Sequence, residues 1–309
     1  MKKAVVESIR RHTYFEIITH EWPDEDAVGS SMALAHALKG MGKAASLVYP
    51  TPVPESLLLP PLPQETGAMS PEISLLVDVS DLRMIRDVKP MGEIVAIDHH
   101  MTNQGYGKVA WVDSRKSSTA EMVFDILSDL QAPIDLPVAI NLYMGIFGDT
   151  GGFSHPNTTP RVFAIAQKLT RAGADPNMIA NRLKRSRSLV WYHILCLAME
   201  RLIEKDGVYA SYITLEDIER LHATSIDTGG IVEEMSCLAG AELSVFVRDV
   251  DDMHIHCSLR SKQTSAALFT ALAFGGGGHA KAAGFSLQGS AKDLISKVIE
   301  EGARWTMTV

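Results

Sequence analysis

His20, Asp24, Asp26, Asp78, the triplet Asp98-His99-His100 and Asp149 are imidazoles and carboxylates at the ends of apolar runs, residues 14–19, 73–77, 94–97 and 142–148. Imidazole nitrogen with several carboxylates and no cysteine is a borderline-to-hard donor set. It suits manganese or magnesium, admits cobalt or zinc, and matches iron–sulfur or copper poorly. Taken singly, each position has a plainer explanation: a histidine before a turn as a cap, an aspartate after a strand as an Asx turn. Taken in order, they are too many acids for one ion, because unpaired buried carboxylates are costly and take up protons. Two divalent cations resolve that conflict. Ions about 3.5 to 4 Å apart stabilise the attacking and leaving oxygens of a displacement at phosphorus and supply hydroxide near neutral pH.

Such ligands need elements whose ends converge. The first half alternates β-like runs (14–19, 45–49, 73–77, 94–97) with a helix over 28–38, the rhythm of a parallel sheet with helices on both faces. Open parallel sheets bind ligands at the carboxyl ends of their strands. Pro23 keeps Trp22 and Asp24 out of a regular helix, so that His20, Asp24 and Asp26 share a turn. Between Pro50 and Pro63 a Pro-rich stretch around Leu57, Leu58 and Leu59 reads as an ordered surface loop or flap. Helices are expected over 119–130, with Ser117 or Ser118 as N-cap and Glu121 as in a capping box, and over 137–147, 160–172, 176–184 and 188–204. The basic Arg182, Lys184, Arg185 and Arg187 read as a solvated run. Strands near 208–214, 242–247, 253–259 and 284–287 with helices near 215–222, 264–273 and 291–302 make a second α/β domain. The expected division is 1–185, a helical linker over 186–206, and 207–309.

At 309 residues the chain fits two domains, and 46% hydrophobic with 21% charged residues is a globular composition. No apolar stretch approaches the ~20 residues of a membrane span. The start has no sustained apolar core and does not read as a signal peptide, so the expected location is the cytoplasm. Cys196, Cys237 and Cys257 offer neither a disulfide framework nor a zinc ribbon and are expected to be reduced packing residues. A net charge of −8 argues against a surface that holds long duplex nucleic acid. A small anionic substrate remains allowed, with no membrane partner; a homodimer is compatible with this reading.

The run Gly275-Gly276-Gly277-Gly278 before His279 costs chain entropy, accepted where a backbone approaches something closely or adopts positive φ. Exposed amides there can cradle an anion. With Arg260 as a fork-shaped phosphate partner, the loop reads as a substrate clamp.

At this point the chain resembles the DHH phosphoesterase family, named for its Asp-His-His triplet. The resemblance is carried by His20-Glu21-Trp22-Pro23-Asp24-Glu25-Asp26-Ala27-Val28-Gly29-Ser30, then Val77-Asp78-Val79-Ser80-Asp81, Asp98-His99-His100 and Gly148-Asp149-Thr150-Gly151. Residues 275–285, with Ser258, Arg260 and Ser261 upstream, are similar to the family's associated C-terminal domain. The resemblance implies a parallel-sheet domain plus a smaller α/β domain, with the active site in the cleft between them. It implies one metal on His20, Asp24 and Asp78 and a second on Asp26, Asp78, His99 and Asp149, most naturally Mn2+. It places His100 at the substrate phosphate and Asp98 as the acceptor that orients an imidazole. Arg260, Ser261, Gly275 to Gly278 and His279 would contact substrate. Glu25 departs from the family, whose members often carry a small residue there, and is expected to face water. The implied activity is hydrolysis of short oligoribonucleotides or linear dinucleotides to mononucleotides, and of adenosine 3',5'-bisphosphate (pAp) to AMP and phosphate. Rival activities are cyclic dinucleotide cleavage, manganese-dependent pyrophosphate hydrolysis and, more remotely, nucleotide sensing without turnover.

Overall fold

The computed structural model describes residues 1–58, 70–185 and 187–306, so Leu59 and the remainder of the Pro-rich stretch lie outside the described residues. The chain forms two compact units, 1–186 and 187–309.

The first unit runs α1 (Lys2–Arg11), β1 (Tyr14–Ile18), α2 (Glu25–Gly40), β2 (Ala44–Val48), β3 (Ile73–Val77), β4 (Glu93–Asp98), β5 (Val109–Val112), α3 (Thr119–Leu130), α4 (Leu136–Asp149), α5 (Pro160–Arg171) and α6 (Pro176–Lys184). Its five strands are all parallel, in the order β2-β1-β3-β4-β5. Strand order reverses between β1 and β3, and a ligand crevice is expected outside the carboxyl ends at that point. His20 follows β1 and Asp78 follows β3, so the two flank it.

Phe15, Ile17, Ile73, Leu75, Val77, Val95 and Ile97 face one core with the buried residues of the helices. The opposite face carries Ile18, Leu76, Val79 and Ile85, and its cover includes a 3₁₀ turn, Leu82–Ile85, with Val88 and Tyr106. Among the described residues the α-helices pack on the first face, and the second has this shorter cover. Leu57 is buried in the core and Leu58 packs against it, so this part of the Pro-rich stretch anchors rather than flaps. Helix α2 begins three residues before the expected start, because Asp24 caps it. At Gly29 a β-carbon would lie 2.5 Å from the Asn141 carbonyl, and at Gly145 2.7 Å from the Ala120 β-carbon. These absent side chains let α2 and α4 approach closely enough to bring Asp26 near Asp149.

The second unit runs α7 (Leu189–Glu200), β6 (Ile203–Lys205), β7 (Val208–Ile213), α8 (Leu215–Arg220), α9 (Ile231–Ser236), β8 (Leu243–Asp249), β9 (His254–Ser261), α10 (Ala266–Ala273), β10 (Gly277–Gly278), β11 (Ala282–Gln288) and α11 (Ala291–Thr306). Its mixed sheet has the order β10-β11-β9-β8-β7-β6, with β7 and β8 parallel. Alternation along β8 sends Val245 and Val247 into a core with α10 and α11, and Phe246 into one with Trp191, Ile194, Ile231 and Met235 of α7 and α9. The predicted helix over 188–204 ends at Glu200 and gives way to β6. Cys257 is a buried packing residue, whereas Cys196 and Cys237 are exposed, contrary to the packing expectation. Among the described residues no helix is long and apolar enough to cross a membrane.

Candidate metal centre

His20 leaves the end of β1 with Nδ1 2.6 Å from the Glu21 carbonyl oxygen. A carbonyl only accepts, so Nδ1 donates there and Nε2 points at Asp78 Oδ2, 3.6 Å away, and Asp24 Oδ1, 3.9 Å away. Asp24 spends Oδ1 capping α2, accepting the Asp26 and Ala27 N–H groups at 3.0 Å, a contact worth about 1 kcal/mol. Two residues on, Asp26 is 1% exposed and reaches the N-terminus of α3. Its carboxylate accepts Thr119 N–H at 2.6 Å and Ala120 N–H at 2.8 Å.

Asp78 adopts φ 62°, a left-handed conformation that aspartate tolerates better than most residues. Its N–H donates to the Ile97 carbonyl at 3.0 Å, and its Oδ1 accepts the Thr119 hydroxyl at 2.8 Å. His99 donates Nδ1 to the Lys116 carbonyl at 3.3 Å. Its Nε2 lies 3.0 Å from Asp149 Oδ2, 3.7 Å from Asp26 Oδ2 and 3.8 Å from Asp78 Oδ1. Asp149 is the last residue of α4, so this ligand comes from a helix end and the others from strand ends or the turn after β1. The structure therefore gathers all six expected metal ligands. His20, Asp24 and Asp78 form one donor group and Asp26, Asp78 and His99 another, their ligand atoms within 4.8 Å of one another.

Beside them, Asp98 Oδ1 holds His100 Nδ1 at 2.8 Å, and Asp98 Oδ2 accepts Asn103 Nδ2 at 2.6 Å. Asp98 is fully buried and fixes the His100 ring with Nε2 turned away from it. Glu25 is half-buried, and a β-carbon at Gly148 would meet its own β-carbon at 2.4 Å. It packs over that glycine rather than standing fully in water.

Burial alone would lower the three histidines. The Asp78 hydrogen bond and the charges of Asp24 and Asp78 instead push His20 up to about 10. Asp149, Asp78 and Asp26 raise His99 well above its ordinary value, and Asp98 and Asp78 raise His100. Burial, then the charges of Asp78 and Asp149, drive Asp26 well above the carboxylate range, while the surrounding imidazoles overcome burial and hold Asp78 far below it. A buried carboxylate forced to take a proton beside one held ionised is a cluster short of positive charge. Divalent cations on a nitrogen-and-oxygen donor set fit that deficit.

Sequence reasoning missed Thr119, Asn103 and the Lys116 carbonyl. Thr119 touches both Asp26 and Asp78. Asn157 Nδ2 bonds the Ser117 carbonyl at 3.0 Å and the Asp149 carbonyl at 3.1 Å, tying the loop after α4 to the start of α3. The only signal for Thr119 was the run of hydroxyl residues at 117–119, which also reads as a helix cap. Ser118 is that cap, and Glu121 reaches back to Ser117 N–H and Oγ, both at 2.9 Å.

In the second unit β9 pairs Arg260 with Ala282 of β11, and Ser261 N–H donates to the Lys281 carbonyl at 3.0 Å, so Arg260 and Ser261 lie beside the segment that follows His279. Arg260 pairs with Glu233 Oε1 at 2.5 Å. Ser261 is buried and its hydroxyl donates to the Thr264 carbonyl at 2.9 Å. The amides of Gly275 and Gly276 are not a solvent-facing cradle. Gly275 and Gly276 N–H close the end of α10 on Leu272 and Ala271, and Gly277 and Gly278 pair with β11. A β-carbon at Gly276 would meet the Gly284 carbonyl at 2.2 Å, so close strand packing requires glycine there.

Residues 15–146 match the model of the DHH family N-terminal domain and residues 206–304 that of the DHHA1 domain. The bifunctional oligoribonuclease and PAP phosphatase NrnA of Thermus thermophilus is 31% identical over 299 residues, 94% of this chain and 90% of that one. The chain belongs to the DHH family. The Bacillus subtilis protein of the same name is 26% identical to this DHH chain, with 93% of each covered. The crystal structure of an exopolyphosphatase-related protein from Bacteroides fragilis has the same fold, with a TM-score of 0.87 at 23% identity, covering 98% of this chain and 95% of that one.

Proposed function

We propose that this DHH protein is a divalent-metal-dependent hydrolase of short linear oligoribonucleotides and of pAp, releasing mononucleotides from the former and phosphate from the latter. One observation carries this reading: Asp78 belongs at once to the donor group of His20 and Asp24, to that of Asp26 and His99, and to the cluster of Asp98 and His100. A carboxylate shared in this way suits a bridging role. His20, Asp24 and Asp78 would hold one cation, and Asp26, Asp78, His99 and Asp149 the second, with manganese the best match to the donors. When bound, such a pair activates water and neutralises charge at the phosphoryl oxygens.

The chain's own groups supply the rest. Asp98 accepts the Nδ1 hydrogen of His100, and its hydrogen bond and charge favour a second proton on the ring, which Nε2 can donate to the departing oxygen. Thr119 holds Asp78 Oδ1, and the α3 amides hold both oxygens of Asp26. Arg260 and His279 of the second unit engage a substrate phosphate; Ser261 and the glycines support them structurally. The relatives named as oligoribonuclease and PAP phosphatase support short nucleotides as the substrate class. Purified protein with Mn2+ should cleave pApA, pGpG and pAp, and leave pyrophosphate and cyclic dinucleotides largely intact. Turnover of pyrophosphate or a cyclic dinucleotide in preference to all three would overturn the substrate assignment, and nucleotide binding without turnover would overturn the hydrolase.

A further inference from the structure

Trp22 is a large apolar side chain left 45% exposed, two residues after His20 and two before Asp24, and the metal scheme makes no use of it. An isolated exposed aromatic is ordinary surface. This one is held by two separate segments, at Thr51 and at Met84 to Arg86. Its backbone sits at φ 53°, a left-handed conformation that is costly for a residue with a β-carbon. The buried Thr51 hydroxyl accepts its N–H at 2.7 Å. The N–H of Glu21 beside it donates to the Met84 carbonyl at 2.7 Å. The Arg86 guanidinium lies 5.5 Å from the indole centroid, a cation–π distance, and Arg86 is itself paired with Glu21 and at φ 49°. Strain of this kind persists only where the surroundings enforce it, and it concentrates at sites that bind.

The chemistry of a nucleotide says what such a ring is for. Metal ligands on both sides of Trp22 place the phosphorus end of a substrate nearby, and a ribose carries a flat base only a few ångströms further. An indole half open to water, with a guanidinium against it, offers a rigid surface on which a base can stack at little entropic cost. We infer that Trp22 is the stacking platform for the substrate's nucleobase. It determines specificity for nucleotides over other phosphoesters and takes no part in the phosphoryl chemistry. This inference rests on the hydrolase reading given above.

Trp22→Leu and Trp22→Phe both keep a β-carbon at the same strained backbone; the first removes the aromatic face and the second keeps one. Thermal unfolding of both variants checks that the fold is unchanged. With saturating Mn2+, each is compared with the native protein on pAp and on ribose 3,5-bisphosphate, which has the phosphates without the base. Trp22→Leu should raise KM for pAp about 5- to 150-fold, the loss of one base–aromatic stack, with kcat within about twofold. KM for ribose 3,5-bisphosphate should not move, and Trp22→Phe should recover most of the affinity for pAp. Equal effects on both substrates, or none on either, would overturn the platform. Indole emission gives an independent readout. Addition of pAp in Mg2+ should change the emission of the native protein and not of Trp22→Phe, and an equal change in both would also overturn it. If the native protein turns over neither substrate, the hydrolase reading has failed, and the emission experiment still decides whether Trp22 meets the base.

Discussion

Thr119→Val removes one hydroxyl and little else. Thr119 is fully buried, valine has its shape, and the backbone N–H that donates to Asp26 is retained. What disappears is the 2.8 Å hydrogen bond to Asp78 Oδ1. Asp78 is 1% exposed and strongly favours its ionised form, so the lost bond is to a charged acceptor that water cannot replace, worth about 1.5 to 3 kcal/mol. That is a factor of roughly 10 to 150, the same range as the 10- to 100-fold loss typical when a group that orients a metal ligand is removed. Calorimetric titration with Mn2+ should therefore show affinity weakened by about 10- to 100-fold with unchanged stoichiometry, and kcat for pApA should fall in step when metal is limiting. Native affinity, within about threefold, would mean that Thr119 does not orient Asp78 and that the start of α3 only closes the core.

Asp98→Asn leaves one oxygen where His100 and Asn103 each need an acceptor, so kcat should fall about 100-fold or more with Mn2+ stoichiometry intact; an unchanged kcat would remove His100 from the chemistry. Arg260→Ala should raise KM for substrates with a terminal phosphate roughly tenfold and spare kcat, a split read directly from initial rates. Metal binding should tighten with pH. Without metal His20 titrates at about 10 and His99 lies well above its ordinary value, so both carry protons at neutral pH that a cation must expel. Each expelled proton makes apparent affinity rise tenfold per pH unit, and with the proton that the buried Asp26 also carries, binding of the two ions together should show a log–log slope near 3 between about pH 6.5 and 8. A flat profile would mean that neither imidazole is a ligand.

The strands that position the site were legible because each is an apolar run with a polar stop: β1 before His20, β3 before Asp78, β4 into Asp98. The run ending at Asp149 gave the same signal from a helix, since a stop is visible in sequence while the element's period is carried by packing against α2. Strand β5 is four residues long and α1 is short and charged, and neither had a pattern strong enough to stand out. Thr119 was hidden inside a capping signature that is also real. In the glycine run, a composition that suits an anion cradle also ends α10 and packs β10 against β11.

The shared carboxylate is the centre of the account, and Asp78→Asn tests it while keeping the side chain's size. Mn2+ titration together with pApA turnover should show two ions per native chain, neither site intact in the variant, and turnover lost. A variant that still binds two ions and hydrolyses pApA at a rate near the native one would contradict it.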